Sequence, residues 1–299
     1  MKSNYAVRRR KFHQKLRGRL TGAAFLAPSF LGAAIFYILP FGVVVYYSLI
    51  KSPLVRDFVG FANFTNVLNN SSFRMAAANT LKFSAVAVPL AVVLAILLAL
   101  MLECKIPAKS QLRTFFLSPM MVPVASIVLI WQVIFHYNGV LNNFLSIFGY
   151  DKIDWFKSDY GQLPIIVLFL WKNLGYNMIL FMAALNNMPK GLLEVAKVEG
   201  AGPVYSFFNI KLRYLSPTVL FVTILSLINS FKVFREVYLL VGDYPYEALY
   251  TLQHFMNNMF ASLDYQKLSA AAVLLAVFMV VVIAILFVAE NFFGKDVEG

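Results

Sequence analysis

Two stretches set polar side chains into otherwise apolar sequence. In "LWKNLGYN" at 170–177, Lys172 and Asn173 precede Asn177, and the two asparagines are four apart, on one face of a helix. In "NSFKVFREVY" at 229–238, Asn229, Lys232 and Glu236 recur at i, i+3 and i+7, again on one face. Flat rings stand close by in Trp171, Phe231 and Tyr238. Amide, ammonium and carboxylate groups beside aromatic surface suit reversible binding of a polar solute. An alternative is that Lys232 and Glu236 satisfy each other as an i, i+4 pair. Bond-making chemistry lacks its parts. There is no H-E-x-x-H, no paired His/Cys ligand set for a metal and no catalytic triad, and His13, His136 and His254 are scattered. There is also no G-x-x-x-x-G-K-[ST], so no phosphate cradle is expected and no cofactor is assigned to this chain.

The elements that must hold these residues are long and apolar. Of 299 residues, 60% are hydrophobic and 13% charged, against about 25% charged in soluble proteins. A bilayer accepts that balance and water does not. Residues 20–50 carry no charge over 31 positions, beyond the roughly 20 needed to cross the hydrocarbon and too long for the apolar part of a cleaved signal. Pro28 and Pro40 interrupt this run in a way a membrane helix tolerates. Further spans are expected at 83–102, 115–135, 163–185 and 268–288, with Lys172 the one charge in the fourth. After Pro217 the uncharged run is short, but 217–241 reaches ~37 Å at ~1.5 Å per residue. It is read as another span, whose Lys232, Arg235 and Glu236 line a wet cavity or snorkel. The expectation is an all-α membrane protein with six transmembrane helices.

A net charge of +12 could suggest a nucleic-acid partner, but its placement points to membrane orientation instead. Lys2, Arg8, Arg9, Arg10, Lys11, Lys15, Arg17 and Arg19 make a basic tail over 1–19 that runs directly into the first span. With six spans, this tail, the 103–114 and 189–214 connections and a short tail at 291–299 share one side. That side, counted with Glu290 just beyond the last span, holds 16 basic and six acidic residues, the other seven of each. The positive side is the cytoplasmic one, so both termini are expected there, flanking a transmembrane domain at 20–290. The lone Cys104 can form no internal disulfide.

The connection at 189–214, "PKGLLEVAKVEGAGPVYSFFNIKLRY", is longer than the few residues usual between packed helices. Pro189 and Glu194 suit a helix start, "GAG" at 200–202 a break, and Pro203 the first turn of a second helix. Val204, Phe207, Phe208 and Leu212 recur there at helical spacing as one apolar stripe. Two short amphipathic helices joined by a glycine elbow could lie on lipid headgroups. Alternatively, they present a carboxylate and an apolar face to a soluble partner.

This loop resembles the cytoplasmic signature of permease subunits in binding-protein-dependent ABC importers. That pattern runs Glu-Ala-Ala, three residues, Gly-Ala, then Phe, Ile, Leu-Pro and a final Pro. Glu194, Ala196, Gly200, Ala201, Phe207, Ile210, Leu212 and Pro217 match it, while Val195, Glu199 and Arg213 depart. "FVGFANF" at 58–64, "ANTLKFS" at 78–84 and the set Pro119, Trp131, Gly139 and Asn142 are similar to the carbohydrate-importing subclass, specifically the first permease of a pair, maltose or oligosaccharide permease-like. "GDYP" at 242–245 departs from that family's Gly-Gly-Pro. The resemblance implies a multi-pass protein of the bacterial inner membrane with a cytoplasmic coupling loop at 189–214. It implies a second permease as heterodimer partner, two ATPase subunits that use the ATP, an extracytoplasmic solute-binding protein and a lipid surround. Trp171, Lys172, Asn173, Asn177, Asn229, Phe231, Lys232, Glu236 and Tyr238 would then line the path of a sugar or oligosaccharide. Three other expectations compete with it. They are a gradient-driven secondary transporter or channel, an importer for a non-sugar solute such as glycerol phosphate, and a membrane-bound enzyme, for which no reactive constellation exists.

Overall fold

The computed structural model describes residues 22–104 and 106–293. The expected basic tail at 1–19, and the part of the 291–299 tail beyond 293, lie outside them. Among the described residues all regular structure is helical, apart from one isolated antiparallel bridge between Ile50 and Phe58. The long apolar helices are α1 (Gly22–Leu49), α2 (Ser71–Glu103), α5 (Gln162–Asn187), the run Ser216–Val241, which contains α8 (Ser216–Lys232) and α9 (Phe234–Val241), and α11 (Tyr265–Phe293). A bent pair, α3 (Lys109–Met121) and α4 (Val124–Ile134), has together the length and hydropathy for a sixth, as a broken span or a re-entrant loop. The described residues fall into two compact units, one drawn from Met1–Asn66 with Tyr265–Leu274, the other from Val67–Asp264 with Leu275–Gly299.

In the first unit, none of the apolar window of α1 is buried within the chain, so this helix is sided for lipid or for a partner subunit. Pro40 has no N–H to offer the carbonyl four residues back, and the turn just before it, Ala34–Ile38, widens to π geometry without ending the helix. The "FVGFANF" stretch follows as a tight turn, with Gly60 at φ 56. There the Asn63 amide donates to the carbonyls of Ser48 at 3.0 Å and Ile50 at 2.9 Å.

The second unit is built on α2 against α5. Ala87, Ala91, Ala95 and Ala99 recur every four residues on α2 and are fully buried, a stripe of small side chains that lets two membrane helices approach closely. Ile165, Leu168 and Phe169 of α5 pack beside the first two alanines, and Met178, Phe181 and Leu185 beside the last two. α3 crosses α5 at backbone contact, since a Cβ on Gly175 would lie 1.8 Å from the Phe116 carbonyl oxygen. Side-chain contacts sort the unit into two ends. At one, Lys211 meets Glu103, Tyr214 donates to the Asn187 carbonyl and Ser216 to Glu290. At the other, Asn79 and Gln162 reach the backbone of residues 247–250.

The span expected at 115–135 is not one continuous helix: α3 and α4 meet at about a right angle, with a bend of 100°. Pro123 is the cause. It excludes Val122 from helical torsion, leaving it extended at φ −81 and ψ 131, and it cannot donate to the turn before it.

Candidate functional site

Val233 ends α8 and α9 restarts at Phe234, so the charged residues lie around an interruption in the span. Across from them runs the polar face of α5. Three rungs join the two. Asn177 donates to Ser226 Oγ at 2.9 Å, Asn229 donates to Asn173 Oδ1 at 2.9 Å, and Lys172 is ion-paired with Glu236. A fourth contact, Ser84 with Ser230 at 2.8 Å, ties α2 to the same helix. Each rung satisfies polar groups that would otherwise be costly in the hydrocarbon. The alternative pairing of Lys232 with Glu236 does not form; Glu236 pairs with Lys172 on the neighbouring helix.

Above the ladder opens a cavity of about 310 Å³, lined by Lys172, Asn173 and Tyr176 of α5 and by Asn229, Lys232, Arg235 and Glu236, with Met120, Leu168, Phe169 and Val233 as its apolar wall. Of the nine residues expected on the path, Lys172, Asn173, Asn229, Lys232 and Glu236 are here. The other four lie elsewhere. Asn177 is buried beneath the cavity against Ser226, Trp171 lies against Trp131 with centroids 5.5 Å apart, Phe231 is buried, and Tyr238 packs on Phe234. Sequence reasoning missed Tyr176 and Phe169, although both sit at helical spacing from Lys172 and Asn173 on the same face. Arg235, expected to line a wet cavity or snorkel but not counted among the path residues, also borders the cavity. Met120 arrives from α3 through the Gly175 crossing, for which the sequence carries no signal.

The 189–214 connection forms two helices, α6 (Lys190–Val198) and α7 (203–214, with a π turn at Phe207–Lys211). Gly200 between them has φ 83 and open space around it, so it is the torsion and not crowding that calls for glycine. Ala201 N–H donates to the Ala196 carbonyl at 2.9 Å and Gly200 N–H to Lys197 at 3.2 Å, the paired bonds of a Schellman cap. Ala196 is buried, Glu194 exposed, and Pro217 stands in the first turn of α8. Leu192, Val195, Val198, Val204, Tyr205 and Phe208 expose apolar surface around the elbow, Val198 at 90%. The expected single stripe on α7 is corrected. Phe207 and Leu212 pack inward with Leu102, Leu185 and Leu215, whereas Val204 and Phe208 face outward. The π turn inserts an extra residue and shifts the register between them. Ile210 is partly buried.

At the opposite end, the remaining motif residues act as fasteners. Asn79 donates to the carbonyls of Glu247 at 2.6 Å and Tyr250 at 3.0 Å, while Thr80 Oγ1 accepts from Leu252 N–H at 2.9 Å. Asn142, fully buried, donates to Tyr137 and Ile153 carbonyls and accepts from Trp155 Nε1 at 3.1 Å. Trp131 Nε1 reaches the Pro164 carbonyl at 3.0 Å. A Cβ on Gly139 would stand 2.4 Å from the Val133 carbonyl oxygen. His254 lies buried in helix α10 (Leu252–Ala261), its Nδ1 2.8 Å from Thr251 Oγ1, and desolvation pulls its pKa down to about 4 against a weaker opposing pull from Asp243.

A sequence profile of the family described as binding-protein-dependent transport system inner membrane component matches residues 87–298. The chain belongs to that family. It is therefore a multi-pass inner membrane protein and a transport component. This inner membrane component is 30% identical over 277 residues to the sn-glycerol-3-phosphate transport system permease protein UgpA of Pectobacterium atrosepticum, covering 91% of this chain and 93% of the relative. It is 29% identical over 267 residues to the sulfoquinovosyl glycerol transport system permease protein SmoG of Agrobacterium fabrum, covering 87% of each. In structure it is similar to a bacterial ABC transporter involved in the import of the acidic polysaccharide alginate, with a TM-score of 0.79 at 22% identity over 94% of this chain and 98% of that one. The fold is thus that of an importer's membrane subunit.

Proposed function

We propose that the chain is one of two permease subunits that together enclose the pore of an ATP-driven ABC importer. An extracytoplasmic binding protein delivers the solute, which is a sugar, an oligosaccharide or a small polyol derivative of the kind the relatives' names describe. The cavity beside the Lys172–Glu236 pair is this chain's share of the path. The ATP is bound by two partner ATPases, none of it here, and they dock on the 189–214 elbow, which lies in the cytoplasm with both termini. The observation that carries this reading is the elbow itself, a Schellman-capped glycine turn whose apolar side chains are left exposed at one end of the molecule. A surface of that kind needs a partner. Lys211 anchors it to the end of α2 through Glu103 at 2.6 Å, so a push on the elbow reaches a spanning helix.

The test is Gly200→Val. A β-branched residue disfavours φ 83 and holds a partner surface away. The variant should insert normally, lose most co-purifying ATPase and abolish hydrolysis stimulated by loaded binding protein. Wild-type co-purification and stimulation would remove the docking role. An elbow that instead lies on lipid would keep its ATPase and change only its own membrane association. Solute uptake by the purified chain alone would favour a gradient-driven transporter.

A further inference from the structure

The cavity's charges do not balance. Lys172, Lys232 and Arg235 line it against one carboxylate, Glu236, and that carboxylate is spent on Lys172. Lys232 and Arg235 make no hydrogen bond or ion pair among the described residues, and both are exposed within the isolated chain. They belong to a membrane span, Ser216–Val241, at ~9–14 Å from its Val241 end. Two cations at that depth are costly against hydrocarbon, and both border the concave space, where water or a counter-charge can meet them. Glu236 is 5% exposed, its second oxygen, Oε2, is buried without a partner, and of the three cations it is ion-paired with Lys172 alone.

We infer that the solute passing this cavity carries a fixed negative charge, such as a phosphate, sulfonate or carboxylate, received by Lys232 and Arg235. This rests on the reading of the cavity as part of the path. The two cations are three residues apart, with Val233 interrupting the helix between them, and both border the same concave space. A guanidinium offers a planar fork to an oxyanion and an ammonium adds a point charge, a pairing suited to a tetrahedral or planar anion. Asn173, Asn229 and Tyr176 remain beside them for hydroxyl groups, and Phe169 supplies a flat apolar face. Acidic residues of the second permease could supply the counter-charge instead. A standing ion pair across the pore would have to break each time the halves part, however, whereas an anionic solute brings the counter-charge and takes it away.

The inference is tested by thiol reactivity in the assembled importer, with Cys104→Ser as background and Asn229→Cys as probe. The reagents are the anionic 2-sulfonatoethyl and the cationic 2-(trimethylammonium)ethyl methanethiosulfonates. The ratio of anionic to cationic rate should exceed that of a free thiol by tenfold or more, and Lys232→Gln with Arg235→Gln should bring it back to the free-thiol value. A ratio at or below that of the free thiol means the second permease already neutralises the cations, and it overturns the inference. Dissociation of the two permeases in the doubly neutralised variant overturns it as well. The importer reading fails by a different result, solute uptake that needs neither ATP nor the second subunit.

Discussion

The two ends of the larger unit are finished in opposite ways. Where Asn79, Thr80, Asn142, Trp131 and Gln162 lie, buried side chains are spent on the backbone of the connecting segments, so those segments are fastened from within the chain. Around the 189–214 elbow the backbone caps itself and apolar side chains are left facing out. A connection closed by its own chain can stay shut without help. One that leaves valines, a tyrosine and a phenylalanine exposed presents its surface to what lies outside the chain. On the proposed function, the first end closes itself and the second receives a partner.

Substitutions can break or sharpen this contrast. The largest effect should come from Gly139→Val, because its Cβ alone would collide with backbone at 2.4 Å and 2.9 Å with no flexible side chain to yield. Little folded protein should survive detergent extraction, as judged by monodisperse recovery on size exclusion. Acidification should come next. His254 has a folded pKa of about 4, below its ordinary 6.5, so its neutral form belongs to the fold. The stability it contributes is complete above pH 6.5 and is lost as pH falls toward 4, on the order of 3 kcal/mol. The melting temperature of the purified protein should drop across that window, and His254→Gln should flatten this part of the drop. Smallest should be Lys211→Ala at the elbow. It breaks a partly exposed ion pair worth less than about 1 kcal/mol, so melting should barely move while stimulated hydrolysis falls. A Lys211→Ala variant that melts far below wild type would mean the elbow is as self-supporting as the far end, and the contrast would collapse.

The elbow was legible in the sequence because capping is local. Glycine followed by alanine after a short amphipathic helix specifies nearly the whole turn. The spans were legible for the same reason, since hydropathy accumulates along contiguous residues. The bend at Pro123 was written in the sequence but hidden by averaging, because Val122-Pro123-Val124 is as apolar as any straight helix. The Lys172–Glu236 pair was not legible. It joins helices 64 residues apart, whereas Lys232 offered Glu236 a partner one turn away. Gly175 gave no warning either, since nothing near it in sequence names Phe116 as the residue whose backbone it must admit. What spacing alone could not supply was which side chains meet across helices.

The separation of Lys172 from Glu236 also bears on biogenesis. At roughly 5–20 residues per second, the ribosome takes about 3–13 s to make the 64 residues between them. For that interval α5 must enter or wait beside the bilayer with an unmatched ammonium, at a cost of about 2.5–3.5 kcal/mol if it sits at the centre of the hydrocarbon. Its partner comes only with the Ser216–Val241 helices, so the polar face of α5 is satisfied late in synthesis. A chain that stops before Glu236 leaves Lys172 without its carboxylate.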